Sequence, residues 1–288
     1  MLYEDELALY YTTARDAYRA RGAVIELGPW LGGGTEQICR GLDASGRDWR
    51  LTVVDRFTLS ADGKRKWPEG GLEIGQSFLP QFQSNLSSYR TRISPVAAEL
   101  RDMPTIFAVP EPIELLFVDA PKSWAMLRLL FAHLGPHLLP GATIIFQDFL
   151  HVTARGLVWL LMSLPQIKIE ATVEKGESVL VTVGEPLVNI LDMIPGSVKH
   201  LSVAELIQCW HRALSALPED KMGRLSIGLA MDLVLRNATQ DAFRVLNFGV
   251  AGRPWEPAIV QNLDYLMEFG DDKSRPVLAT ILGHLRHK

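Results

Sequence analysis

Apolar residues recur at helical spacing over residues 3 to 20, and past Gly22 the pattern changes to short apolar runs separated by polar turns. AVIEL (23–27) predicts a buried strand, TEQICRGL (35–42) a helix capped at Thr35, and WRLTVVD (49–55) a second buried strand that ends in an acid. Strand, glycine-rich loop, helix and strand in that order form a βαβ unit of a parallel sheet. RISPVAAEL (92–100), PIELLFVDA (112–120) and ATIIFQDF (142–149) predict three further strands, with Pro140 and Gly141 as a turn before the last. The helical stretches between them are SFLPQFQSNLSSY, SWAMLRLLFAHLGPHLL and TARGLVWLLMSL (153–164). IKIEATVEKGESVLVTVG alternates apolar and polar residues around KGES, which predicts an antiparallel hairpin.

Two regions depart from this rhythm. FTLSADGKRKWPEGGLEIG is polar, glycine-rich and too long for a simple connector, so it reads as a functional lid or a disordered segment. From about residue 186 the composition becomes helical, with apolar positions such as Leu229, Met231, Leu233 and Leu235 that can form a small core or mate with another subunit. The organisation expected is an N-terminal helix (1–21), an α/β domain (22–185) and a helical C-terminal extension (186–288). Its sheet is mostly parallel and Rossmann-like, with an antiparallel terminal hairpin and helices on both faces.

Composition narrows the function. With 288 residues, 48% hydrophobic and 22% charged, the chain can bury a large core, enough for one domain of usual size plus an appendage. A net charge of −4 and a pI near 6.0 give no support for a nucleic-acid partner. Cys39 and Cys209, the two cysteines, lack disulfide or zinc spacing, which favours a reducing compartment. The N-terminal stretch carries acids in its first turn, whereas a signal peptide needs a basic start, and nothing approaches a membrane span. A cytoplasmic location is therefore expected.

The chemistry concentrates after the first strand, in VIELGPWLGGGTEQI (24–38). A glycine-rich turn between a buried strand and a helix lets backbone N–H groups and the helix N-terminus approach a ligand closely. A dinucleotide fingerprint needs G-x-G-x-x-G, and Trp30 stands where its second glycine belongs, which disfavours a pyrophosphate. The stretch instead resembles motif I of the class I S-adenosylmethionine-dependent methyltransferases. On that resemblance Glu26, Gly28, Gly32, Gly33 and Thr35 bind the donor, and Asp55, ending the second strand, receives the two ribose hydroxyls, which a carboxylate can do. ELLFVDAPKSW and LLPGATIIFQDF extend the likeness to the branch with catechol-type and macrolide-sugar O-methyltransferases, through Asp119, Lys122, Pro140, Gly141 and Asp148. The resemblance covers residues 20 to 184.

What the resemblance implies is methyl transfer from S-adenosylmethionine to a small molecule bearing a hydroxyl, a sugar or a natural-product intermediate. Such a transfer needs alignment of donor and acceptor and removal of one proton. Lys122 stands where catechol-type relatives place a proton-abstracting lysine, and a partly desolvated lysine has a lowered pKa. His151, three residues past Asp148, is a second candidate base or a substrate contact. The same relatives hold Mg2+ with oxygen ligands at the places of Asp119 and Asp148. Phe149 fills the third ligand's place and offers no oxygen, which leaves Gln147, His151 or water to supply one. Ala98 and Glu99 fall where the family contacts adenine, although the usual Gly-Asp pair is missing. Trp30 either packs over the methionine part of the donor or covers the sheet edge.

Two alternatives stay open at this point. Asp55 would equally suit the adenosine ribose of a nicotinamide cofactor in an oxidoreductase. A non-catalytic, methyltransferase-like module is the other, with the C-terminal helices as a homo-oligomer or partner surface. Neither a nucleic acid nor a membrane is expected as a partner.

Overall fold

The computed structural model describes residues 2–106, 112–120, 123–151, 154–250 and 274–286. They fall into two compact units. The first comprises 2–106, 112–120, 125–147 and 166–193, and the second 123–124, 148–151, 154–165, 194–250 and 274–286. Among the described residues no helix is long and apolar enough to cross a membrane.

The first unit is built on seven strands: β1 (Ala23–Leu27), β2 (Leu51–Asp55), β3 (Ile93–Ala97), β4 (Ile113–Val118), β5 (Leu138–Phe146), β6 (Ile167–Thr172) and β7 (Val179–Val183). They form one sheet in the order β3-β2-β1-β4-β5-β7-β6. The first five run parallel, while β7 is antiparallel to both β5 and β6. The α/β architecture with a terminal hairpin is thus the one the patterning predicts. The central strand β4 is buried at every position, which is why IELLFV is apolar on both faces apart from Glu114 rather than alternating. Its Leu115 and Phe117 pack with Val24 of β1, Leu51 and Val53 of β2, and residues of two helices, α1 (Glu4–Ala17) and α2 (Gly33–Ala44).

The structure corrects three local expectations. Thr35 does not cap α2: the helix begins two residues earlier, with Gly32 as its N-cap at φ 94° and no capping side chain. Pro140 and Gly141 lie inside β5 rather than in a turn before it. The ladder to β4 jumps there, from the pair Ile113–Leu138 to Leu115–Thr143, and this irregular stretch accommodates the N–H that proline lacks. The segment after β2 is folded, not disordered. It holds the short helix α3 (Ala61–Lys66), capped by the Ser60 hydroxyl accepting from Gly63 N–H at 3.0 Å. Its ends are joined by backbone bonds between Phe57 and Phe78 (2.9 Å) and between Leu59 and Gln76 (2.8 Å), and Phe57, Leu59 and Phe78 are buried. A few apolar anchors at its ends fold a stretch whose composition is polar.

The remaining helices of this unit are α4 (Leu79–Asn85), α5 (Met103–Ile106), α6 (Trp124–Leu134, from its second residue on) and, past the hairpin, α8 (Ile190–Met193). The second unit is helical: α7 (Arg155–Ser163), α9 (Val203–Ala216), α10 (Met222–Val234), α11 (Thr239–Val250) and α12 (Ser274–Arg286). Ser202 and Glu205 form a reciprocal capping box that starts α9. Every residue of α10 from Arg224 to Leu233 is buried, including Asp232. That carboxylate accepts from Arg155 Nε at 2.8 Å and from Trp159 Nε1 at 2.5 Å, so the acid inside an apolar helix is paired by α7.

Candidate functional site

The C-terminal edge of the parallel strands in the first unit gathers the residues singled out between β1 and β4. Open α/β sheets bind ligands at this edge, where connections leave to opposite sides of neighbouring strands. Here that divergence lies between β1 and β4.

The chain leaves β1 through Gly28, at φ 80°, whose N–H donates to Val54 C=O at 3.0 Å. A Cβ at Gly28 would stand 3.2 Å from the Ala120 side chain, so both conformation and space require glycine. At Gly32, φ 94° combines with a Cβ position only 2.8 Å from Leu86. Around Gly33 no atom lies within 4 Å of a Cβ position, and the residue is exposed. The first turn of α2 has no side-chain cap, which leaves its leading N–H groups without a side-chain acceptor there. Trp30, between these glycines, takes φ 49° and turns its ring onto the folded segment after β2, 5.0 Å from Phe78 and 6.4 Å from Trp67 between ring centres.

Beneath the loop, Glu26 is buried, and it accepts from the Thr35 hydroxyl at 2.6 Å. Burial pushes its carboxyl up to about 8; the Thr35 bond works against that shift and the nearby charge of Asp55 adds to it. At neutral pH Glu26 is therefore mostly protonated. The Thr35 hydroxyl thus ties α2 to β1 from below.

Asp55 ends β2, half-buried, and its Oδ1 accepts from Phe57 N–H at 2.7 Å, an Asx turn that fixes the carboxylate's direction. Burial raises its pKa, and the charge of Glu99 adds a smaller upward push. Glu99 is exposed at the start of the 3-10 turn Leu100–Asp102, where Ala98 N–H donates to Asp55 C=O at 2.8 Å. Glu26, Gly28, Thr35, Asp55 and Glu99 thus share one strand edge. Asp119 joins them just past β4, with its N–H on Leu27 C=O at 2.9 Å.

The Gln147 amide nitrogen donates to Asp119 Oδ2 at 2.5 Å and to Oδ1 at 2.7 Å. This orientation alone suits both ends of the amide, because its oxygen then faces donors. The donor set does not fit a divalent cation. Both Asp119 oxygens are engaged by one amide, Phe149 is fully buried and has no oxygen, and among the described residues no group of three or more His, Cys, Asp or Glu is placed to hold a metal.

Asp148 and His151 belong to the second unit, in the turn that leads into α7, where His151 N–H donates to Asp148 C=O at 3.1 Å. Lys122 lies outside the described residues. Sequence reasoning did not find the Asp232, Arg155 and Trp159 cluster, although a lone acid within IGLAMDLVL signals a buried carboxylate that needs partners.

No protein-family model matches the chain, and no curated protein matches it. Solved structures do. The O-methyltransferase NovP is similar at 17% identity over 63% of this chain and 80% of that one, with a TM-score of 0.47. TomG from Streptomyces achromogenes, an O-methyltransferase of tomaymycin synthesis solved with S-adenosylmethionine, is 17% identical over 64% and 82%, with a TM-score of 0.47. An O-methyltransferase from Bacillus cereus in complex with S-adenosylhomocysteine is 16% identical over 64% and 82%, at 0.45. The strand order, with β7 reversed beside β5, decides the architecture. The fold is a mostly parallel, Rossmann-like sheet with an antiparallel terminal hairpin.

Proposed function

We propose that this chain is an S-adenosylmethionine-dependent methyltransferase that methylates a hydroxyl of a small molecule, a sugar or a natural-product intermediate. The observation that carries the reading is the pairing at one strand edge of an uncapped helix N-terminus, reached through Gly28 and Gly32, with the oriented carboxylate of Asp55. A nucleoside ligand without phosphate needs backbone donors and an acceptor for its ribose hydroxyls, and this edge offers both. Gly28 and Gly32 turn the loop toward the donor, Gly33 gives it room, Glu26 and Thr35 brace the loop, Asp55 takes the ribose, and Glu99 and Asp119 flank it.

When bound, S-adenosylmethionine supplies an electrophilic methyl group. The chain's own work is to align the acceptor hydroxyl and to take its proton. We assign that proton to Lys122, with His151 and Asp148 as acceptor contacts in the turn before α7. No step runs through a metal. The reading includes a homo-oligomer formed through the C-terminal helices, which light scattering on the full chain tests.

The deciding experiment is calorimetric titration of the purified protein with S-adenosylmethionine and S-adenosylhomocysteine, with NAD and NADP as controls. Micromolar binding of the first pair alone is expected. Binding of neither pair returns the chain to a non-catalytic module, and binding of NAD or NADP makes it an oxidoreductase.

A further inference from the structure

We infer that Gln147 holds Asp119 in the place of a divalent cation, so that this strand edge works through hydrogen bonds and takes no metal.

The arrangement follows from the sheet. β4 and β5 run parallel with Val118 beside Phe146, so the next residue on each, Asp119 and Gln147, leave the sheet side by side. Both backbones are pinned there: Asp119 N–H donates to Leu27 C=O at 2.9 Å and Gln147 N–H to Val118 C=O at 3.0 Å. The Gln147 carbonyl also accepts from the Ser178 hydroxyl at 3.3 Å. From that fixed base the amide nitrogen reaches both carboxylate oxygens, at 2.5 and 2.7 Å. Charge-assisted bonds of this kind are about twice as strong as neutral ones, and the forked contact sets the plane of the carboxylate.

A cation at the same place needs the opposite orientation, with the amide oxygen and both Asp119 oxygens converging on it at the short distances that Mg2+ demands. Turned that way, the Gln147 nitrogen would face only donors on its other side. The surroundings of the amide therefore select the nitrogen-inward state. Gln147 is a positioning residue: it keeps Asp119 oriented beside Gly28, whose Cβ position lies 3.5 Å from the Asp119 carbonyl carbon.

The test has two arms, and the second rests on the donor-site reading above. In the first, the full chain is titrated with Mn2+ and followed by electron paramagnetic resonance and calorimetry. No saturable binding is expected up to about 1 mM, the weak end of oxygen-ligated protein sites. The Gln147→Glu variant, which exchanges the donor for a second carboxylate, is expected to acquire a single Mn2+ site that Asp119→Asn removes. A saturable site in the unaltered protein that is lost in Asp119→Asn overturns the inference, whatever the variants' stability. In the second arm, S-adenosylhomocysteine is titrated in EDTA and in excess Mg2+. Equal affinities support the inference, and binding that appears only with Mg2+ overturns it. Failure to bind in either buffer overturns the donor-site reading and leaves the Mn2+ result standing on its own.

Discussion

Two glutamates on neighbouring strands, Glu26 of β1 and Glu114 of β4, are almost equally buried, at 4% and 1% exposure, yet lie at opposite edges of the sheet. Glu114, at the N-terminal edge, accepts from the backbone N–H groups of Arg19 and Arg21, both at 2.8 Å, with the Arg21 guanidinium at 3.5 Å. The turn between α1 and β1 is wrapped around it. Glu26, at the other edge, has the Thr35 hydroxyl at 2.6 Å and the negative field of Asp55, and its carboxyl is pushed up to about 8. A carboxylate ringed by donors closes a structure. One short of donors is held neutral, and such perturbed groups gather at ligand sites. At the N-terminal edge backbone donors meet the buried acid, while at the C-terminal edge burial prevails over the Thr35 hydroxyl.

The largest expected effect that sharpens the contrast is in pH. Glu26 ionises near 4.5 when unfolded and at about 8 when folded, so between those values the native state carries a proton that the unfolded chain lacks. Its contribution is full below about pH 4.5, is lost as pH rises to about 8, and is flat above that, a change on the order of a few kcal/mol. Urea unfolding of Glu26→Gln across this range should show a flatter profile than the unaltered protein; parallel profiles would break the comparison. Next, Glu114→Leu leaves the Arg19 and Arg21 N–H groups without their acceptor and should cost about 2 kcal/mol in unfolding free energy while leaving S-adenosylhomocysteine affinity unchanged. A shift in that affinity would show the two edges to be coupled. Third, Asp55→Asn keeps an acceptor for Phe57 N–H but gives up one ribose acceptor, and calorimetry should read roughly tenfold weaker donor binding at unchanged melting temperature. The smallest effect belongs to Thr35→Val, which removes the hydroxyl that donates to Glu26 and should destabilise the chain by about 1 kcal/mol.

Much of this was legible along the chain because it is local. The strands were read from apolar runs, the hairpin from alternation around KGES, and the sharp turn after β1 from glycines that both positive φ and close approach require at positions 28 and 32. Misreadings arose where a remote contact overrode a local signal. Thr35 has the composition of a helix cap, but its hydroxyl is used by Glu26. Pro140 and Gly141 have the composition of a turn, but the ladder to β4 carries the strand through them. The polar segment after β2 is folded by Phe57, Leu59 and Phe78, widely spaced anchors among hydrophilic residues.

The helical unit makes the same point. α7 follows β5 in the chain, but it packs with α9 and α10, and Asp232 finds Arg155 and Trp159 there. By itself the sequence determined which segments become strands and helices and where the backbone must bend sharply, because periodicity and backbone sterics act over a few residues. Only the tertiary structure decided which donors meet which carboxylates: Thr35 on Glu26, Arg19 and Arg21 on Glu114, Gln147 on Asp119. Those pairings depend on strand order and register, which bring distant residues within hydrogen-bond reach, and at Glu26 burial then outweighs the Thr35 hydroxyl and raises the pKa.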